Sequence, residues 1–146
     1  MAVFTFPRQD VIVLGEQELQ KLKKAVHESP LRRARYCLHH SWNDQVQEMV
    51  IVLHRESVIP VHRHVGKSES FHLIDGEMEV IFFDDDARRT GSIKLGGAGS
   101  ELPFLYRLSG DCWHTVRPLS EYVVYHETIA GPFIAAEIET LEVPSP

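Results

Sequence analysis

The chain predicts an all-β fold, an antiparallel double sheet or closed barrel, with one short helix near its N-terminus. Three observations carry this expectation. From residue 46 onward apolar residues recur at every second position, the period of a strand with one buried face. Turn-forming residues interrupt that stretch every few positions. A single segment, residues 15–30, carries a helical period instead.

The elements follow in order. VFTF (3–6) and VIVL (11–14) are short β-type runs. GEQELQKLKKAVHESP is the helix: Leu19, Leu22 and Val26 recur on one face, lysines take the other, and Ser29-Pro30 stops the pattern. Arg32 and Arg33 then read as a solvated stretch. VQEMVIVLH, SVIPVHRH, SESFHLI, EMEVIFF, GSIKL, FLYRL, WHTVR, EYVVYHETI and FIAAEIETL are all of strand length. Asp75-Gly76, the DDDARRTG hairpin at 84–91, GGAGSELP at 96–103, Ser109-Gly110-Asp111 and Gly131-Pro132 separate them. With no helix between them, these strands must bury their apolar faces against each other. The expected organisation is one compact domain in which residues 1–30 pack on a β-domain formed by residues 31–146. The tail LEVPSP is expected to fray.

Composition narrows the function. A chain of 146 residues with 43% hydrophobic content can bury a core without staples. A formal charge of -6 leaves no basic face to displace counterions from phosphates, which argues against nucleic acid as a partner. MAVFTFPRQD does not read as a signal peptide, and no apolar run approaches the roughly 18 residues of a membrane span. Cys37 and Cys112 are too few for a disulfide framework, so a cytoplasmic protein is expected.

The chemistry concentrates in VHRHVGKSESFHLIDG, residues 61–76. Alternation along a strand puts His62 and His64 on one face, as two imidazoles binding one ion require. A turn through Val65–Ser68, eased by Gly66, returns the chain with Glu69, Phe71 and Leu73 inward and His72 outward. A carboxylate among apolar neighbours is costly to bury alone, and a cation is its most economical partner. His114 in CWHTV is the best fourth ligand. Such a mixed N/O set suits one divalent Fe, Mn, Ni or Zn ion per chain, with positions left for water or substrate.

The spacing H-x-H-x4-E-x6-G, here His62, His64, Glu69 and Gly76, resembles the first motif of the cupin superfamily, and SGDCWH resembles its second, ending in His114. RRARYCLHH, DQVQEMVIVL, IPVHRHVGKSE and CWHTV look like the WbuC family of cupin fold metalloproteins, over residues 31 to the end. In place of the family's Pro-x-Gly stands Ser109-Gly110-Asp111, where Asp111 is expected to tolerate the left-handed backbone. The resemblance implies a cupin jelly-roll β-barrel with one divalent metal in its mouth, often a homodimer, with a setting in surface polysaccharide synthesis. The VFTF and VIVL runs are the natural strands to add to a neighbour's sheet edge.

Further residues are candidates around that centre. Tyr125 and Glu127 alternate on one face of EYVVYHETI and are candidate proton donor and general base. Arg35 and His39, which the resemblance sets side by side, together with Gln47 and Lys67 are candidate ligand-binding groups, and Met49 is a candidate cavity wall. Cys112 shares parity with His114 and is expected as a buried thiol near the site. The substrate expected is a small polar molecule such as a sugar or sugar phosphate, handled in an isomerase- or epimerase-like reaction. An Fe(II) dioxygenase and a metal-dependent sugar-binding protein without turnover are the other two readings.

Overall fold

The computed structural model describes residues 1–144. Its elements are β1 (Ala2–Thr5), α1 (Glu16–Glu28), β2 (Arg33–Cys37), β3 (Val46–His54), β4 (Val61–His64), β5 (Glu69–Asp75), β6 (Glu77–Phe83), β7 (Arg89–Gly96), β8 (Leu105–Leu108), β9 (Trp113–Pro118), β10 (Tyr122–Ala130), a 3-10 turn (Ala135–Glu137) and β11 (Ile138–Leu141). They form a six-stranded sheet, β1-β2-β3-β10-β5-β8, facing a five-stranded one, β11-β4-β9-β6-β7. This is the jelly-roll double sheet that the sequence leads one to expect. One pairing departs from it: β1 runs parallel to β2.

The register of the larger sheet explains what faces inward. Across β3 and β10, Gln47 pairs with Ile129, Met49 with Glu127, Ile51 with Tyr125 and Leu53 with Val123. On the next strand Glu69 pairs with Ile129, Phe71 with Glu127 and Leu73 with Tyr125. On the other side β2 sets Arg33 against Leu53, Arg35 against Ile51 and Cys37 against Met49. All of these alternate residues point to one face, and most of the apolar ones meet Met78, Val80, Leu95 and Val116 of the opposite sheet in the main core.

The outer face of the same sheet is also covered. Leu22, Ala25 and Val26 of α1 lie on Ala34, Tyr36, Val50, Val52 and Val124. This is why VQEMVIVLH loses its alternation at its centre: Val50 to Leu53 are buried on both faces. Leu22 is fully buried, and Leu22→Ala is expected to cost about 2–5 kcal/mol in denaturant unfolding, from lost transfer energy plus the cavity left.

Two local expectations change. VIVL forms no strand, and Val11 and Val13 are 73% and 76% exposed, because no neighbouring backbone is there to pair with them. Residues 33–37, read in part as solvated, instead form β2, held between β1 and β3. The Asp75-Gly76 turn stands: Gly76 has φ +80°, and a Cβ there would lie 2.2 Å from the Tyr122 carbonyl oxygen. Residues 145–146 of the tail expected to fray lie outside the described residues. Among the described residues, no helix is long and apolar enough to cross a membrane.

Candidate metal centre and adjoining cavity

Strand pairing assembles the histidines. His62 of β4 lies directly across from His114 of β9, and His64 follows two residues on, on the same face. The ring centroids of His62 and His114 are 4.5 Å apart, those of His62 and His64 5.1 Å. One ligand atom from each of His62, His64 and His114 lies within 4.8 Å of the other two. Glu69, at the start of β5, reaches in from the opposite sheet, with Oε1 2.7 Å from His114 Nε2 and Oε2 3.3 Å from His64 Nε2.

Hydrogen bonding selects the free nitrogen. His62 Nδ1 lies 2.9 Å from the Pro60 carbonyl oxygen, and His114 Nδ1 2.9 Å from that of Cys112. A carbonyl only accepts, so both rings donate from Nδ1, and Nε2 is the atom turned toward the common point. The 2.7 Å contact of His114 with Glu69 is an ion pair whenever Nε2 carries a proton as well. His114 Nε2 and Glu69 Oε2 are both buried without a hydrogen-bond partner, which is costly unless a cation accepts their lone pairs. Tyr106 supplies a neutral donor, its hydroxyl 3.2 Å from Glu69 Oε1. The donor set and its unpartnered lone pairs fit a divalent ion.

The charges respond to each other. Burial pushes the Glu69 carboxyl up, but the imidazoles of His114 and His64 outweigh it and hold it well below the usual carboxylate range. Burial, with His114 beside it, lowers His62 to about 4. Burial lowers His114 too, yet Glu69 overcomes this and raises it. Burial first, then the charge of Glu69, raises Glu127 to about 8, with Arg35 offsetting part of the rise.

The turn before His114 is built differently from expectation. Gly110, with φ +85°, takes the left-handed position itself. Asp111 serves as a tie between turns, since its Oδ1 accepts from the Gly66 N–H at 2.7 Å and so joins the two histidine-bearing loops. Cys112 is exposed, not buried beside the site, because β9 begins one residue later and only its carbonyl turns inward.

A cavity opens next to His64. Arg35, Trp42, Gln47, Met49, Lys67 and Glu127 contribute to its walls, closed on the far side by Phe133, Ile134, Glu137 and Ile138. Glu127 places a carboxylate oxygen within 4.8 Å of ligand atoms of His64 and Glu69. Tyr125 stands one row deeper, packed on Phe71 with centroids 4.9 Å apart, and lines a second hollow shared with Arg33, Arg35, His62, His64 and Glu127. Gln47 donates its amide to the Ser41 and Asp44 carbonyls, and Lys67 pairs with Glu137 at 2.7 Å and donates to the Pro132 carbonyl. His39, expected at this cavity, stands outside it: its Nδ1 meets the Glu48 backbone, and its ring faces a separate hollow with Val3, Thr5 and Trp42. His72 is exposed, as its parity requires.

Sequence reasoning passed over Tyr106, Trp42, Phe133 and Glu137. For Tyr106 the signal was there, since FLYRL alternates, but nothing local says that its partner strand carries Glu69. Trp42, Phe133 and Glu137 come from irregular segments that only the folded chain brings over the cavity.

A family model described as a domain of unknown function, DUF6016, matches residues 14–95, more than half of the chain. The chain belongs to the DUF6016 family. The matched span of this DUF6016 protein carries His62, His64 and Glu69, while His114 lies beyond it. No curated protein matches the chain in sequence. Solved structures do match in fold. The cupin domain of Cnp3 from Schizosaccharomyces pombe aligns with a TM-score of 0.54 at 13% identity, over 68% of this chain and 64% of that one. CapF, the capsular polysaccharide assembling protein of Staphylococcus aureus, aligns at 0.55 and 19% identity, over 69% and 27%. Oxalate decarboxylase of Bacillus subtilis, a protein with Mn(II) centres, aligns at 0.53 and 14%, over 67% and 24%. The DUF6016 chain thus has a cupin fold and spans less than two thirds of the length of each of these structures.

Proposed function

We propose that this DUF6016 protein is a mononuclear divalent-metal cupin that takes up a small polar molecule beside its metal and acts on it. One observation carries the reading: His62, His64, His114 and Glu69 converge, with two Nδ1–H groups committed to backbone carbonyls and with His114 Nε2 and Glu69 Oε2 buried without a hydrogen-bond partner. A nitrogen and carboxylate donor set suits Fe(II), Mn(II), Ni(II) or Zn(II). When bound, such an ion supplies Lewis-acid polarisation of a ligand hydroxyl or carbonyl.

The chain's own residues divide the remaining work. Glu127, with a carboxylate oxygen within 4.8 Å of ligand atoms of His64 and Glu69, sits where it can exchange a proton with a molecule in the cavity, which favours turnover over passive binding. Tyr125 is buried behind it and backs that position. Arg35, Gln47 and Lys67 form the polar part of the wall. The resemblance to the WbuC family and the fold likeness to CapF support a sugar or sugar phosphate as the molecule, with an isomerase- or epimerase-like outcome.

Elemental analysis of protein purified without chelators tests the metal. One equivalent of a first-row divalent metal per chain is expected, and its removal should lower the melting temperature, since a ligand held only by the folded state stabilises it. Protein that is folded, free of metal and indifferent to added Fe(II), Mn(II), Ni(II) and Zn(II) would sink the reading.

A further inference from the structure

Arg33 and Arg35 lie on the inward face of β2, opposite Leu53 and Ile51. Inward guanidinium groups are expected to meet carboxylates or carbonyls. These do not. The Nε atoms of both are buried without a hydrogen-bond partner. Arg35 Nη1 reaches Met49 Sδ at 3.3 Å, and the group lies beside the Cys37 thiol; sulfur is a weak acceptor for a cation. Arg35 also stands at the junction of the two hollows, which share Arg35, His64 and Glu127.

The walls describe the rest of the occupant. Trp42 and Phe133 form an aromatic pair with centroids 4.9 Å apart, and the Arg35 guanidinium carbon lies 5.7 Å from the Trp42 ring centre. Ile129 and Ile134 continue the apolar surface. Two of the polar groups nearby are already engaged, the Gln47 amide nitrogen on Ser41 and Asp44 and the Lys67 ammonium on Glu137 and Pro132, which leaves the buried Gln47 Oε1 without a partner. A polyhydroxylated body would therefore find few free partners and would lose its hydration. A planar carboxylate on an apolar body answers both features, because its two oxygens match a guanidinium fork and its body covers the aromatic wall.

We infer that the cavity binds a small organic acid, its carboxylate held by Arg35 with Arg33 behind it, and its apolar body against Trp42 and Phe133. This rests on the metal-cupin reading for what happens to the acid, and it sets an anion with an apolar body in place of the sugar or sugar phosphate. Arg35 acts as a binding residue in it.

Calorimetric titration with 3-phenylpropanoate, its neutral amide 3-phenylpropanamide, glucose 6-phosphate and glucose tests the inference, on metal-loaded and on chelator-treated protein. The acid is expected to bind metal-loaded protein more tightly than the amide, by about 10- to 100-fold, the worth of a charge-assisted bond. Arg35→Gln should remove that preference while leaving metal content unchanged, and Trp42→Ala, at an exposed position, should weaken acid and amide alike. Equal binding of acid and amide, an unchanged preference in Arg35→Gln, or glucose 6-phosphate binding in place of the acid would each overturn it. Should Arg35→Gln fail to fold, Arg35→Lys, which keeps charge and loses the fork, is expected to retain only part of the preference; full retention would overturn the carboxylate fork. Acid preference that persists in protein shown to take no metal would support the anion site and defeat the metal reading, so the two failures are distinguishable.

Discussion

His114→Ala is expected to empty the metal centre and to weaken the fold even before metal is considered. The ring is 1% exposed and supplies the Nε2 that faces Glu69 at 2.7 Å. Without it a buried carboxylate keeps His64, at 3.3 Å, and the Tyr106 hydroxyl as its favourable polar neighbours, with Glu127 close by. Removing one partner of a buried charge pair typically costs about 3–5 kcal/mol, and the loss of an imidazole leaves a cavity as well. Metal affinity should fall by more than about 100-fold, since loss of a supporting hydrogen bond alone commonly costs 10- to 100-fold. His114→Gln fills most of the volume and separates the two effects: it should fold better than the alanine variant and still lose metal. His72→Ala is the control, because His72 is exposed on the outward face of β5 and should change neither quantity. Metal content by elemental analysis, with denaturant unfolding of each variant, decides it. A His114→Gln protein that retains a full equivalent of metal would remove His114 from the ligand set.

The second large effect is in pH. In chelator-treated protein Glu127 is raised to about 8, against an ordinary value of 4.5, chiefly by burial. Between these values the folded chain keeps a proton that the unfolded chain releases, so stability falls as pH rises from 4.5 to 8 and levels off above. At about 1.4 kcal/mol per pH unit the full window is worth up to about 5 kcal/mol. Glu127→Gln cannot ionise, so its advantage over the native protein should grow across that window to roughly 2–5 kcal/mol at about pH 9. His62, lowered to about 4, acts in the opposite direction between about 4 and 6.5, and His114, raised, acts in the same direction as Glu127. Both remain in the variant, so the difference between the two proteins isolates Glu127. Parallel unfolding curves from about pH 5 to about pH 9 would show that Glu127 is ionised in the fold.

How far the site could be read from the sequence depended on the range of the interaction. VHRHVGKSESFHLIDG contains two short strands, one in each sheet, and within each strand parity follows from the backbone alone. His62, His64 and Glu69 inward and His72 outward are consequences of a period of two, and the structure keeps all four. The helix is equally local, since Leu19, Leu22 and Val26 share a stripe at any position in the fold. Segments whose state depends on a distant partner behaved otherwise. VIVL has strand-like residues but no neighbour, and RARYC has arginines yet is a strand because β1 and β3 flank it.

Bond geometry and alternation were enough for the all-β class, the helix, the turn at Gly76 and the inward sides of His62, His64 and Glu69 on their own strands. Long-range pairing was needed for the rest: that His114 meets His62, that Tyr106 caps Glu69, that Cys112 and His39 stand outside the cavity, and that Arg33 and Arg35 turn inward. The inward turn of the arginines has a physical cause. The outer face of β2 must carry Ala34 and Tyr36 under α1, so alternation leaves the arginines no other side. The partial burial of two cations is the consequence of covering that sheet with a helix.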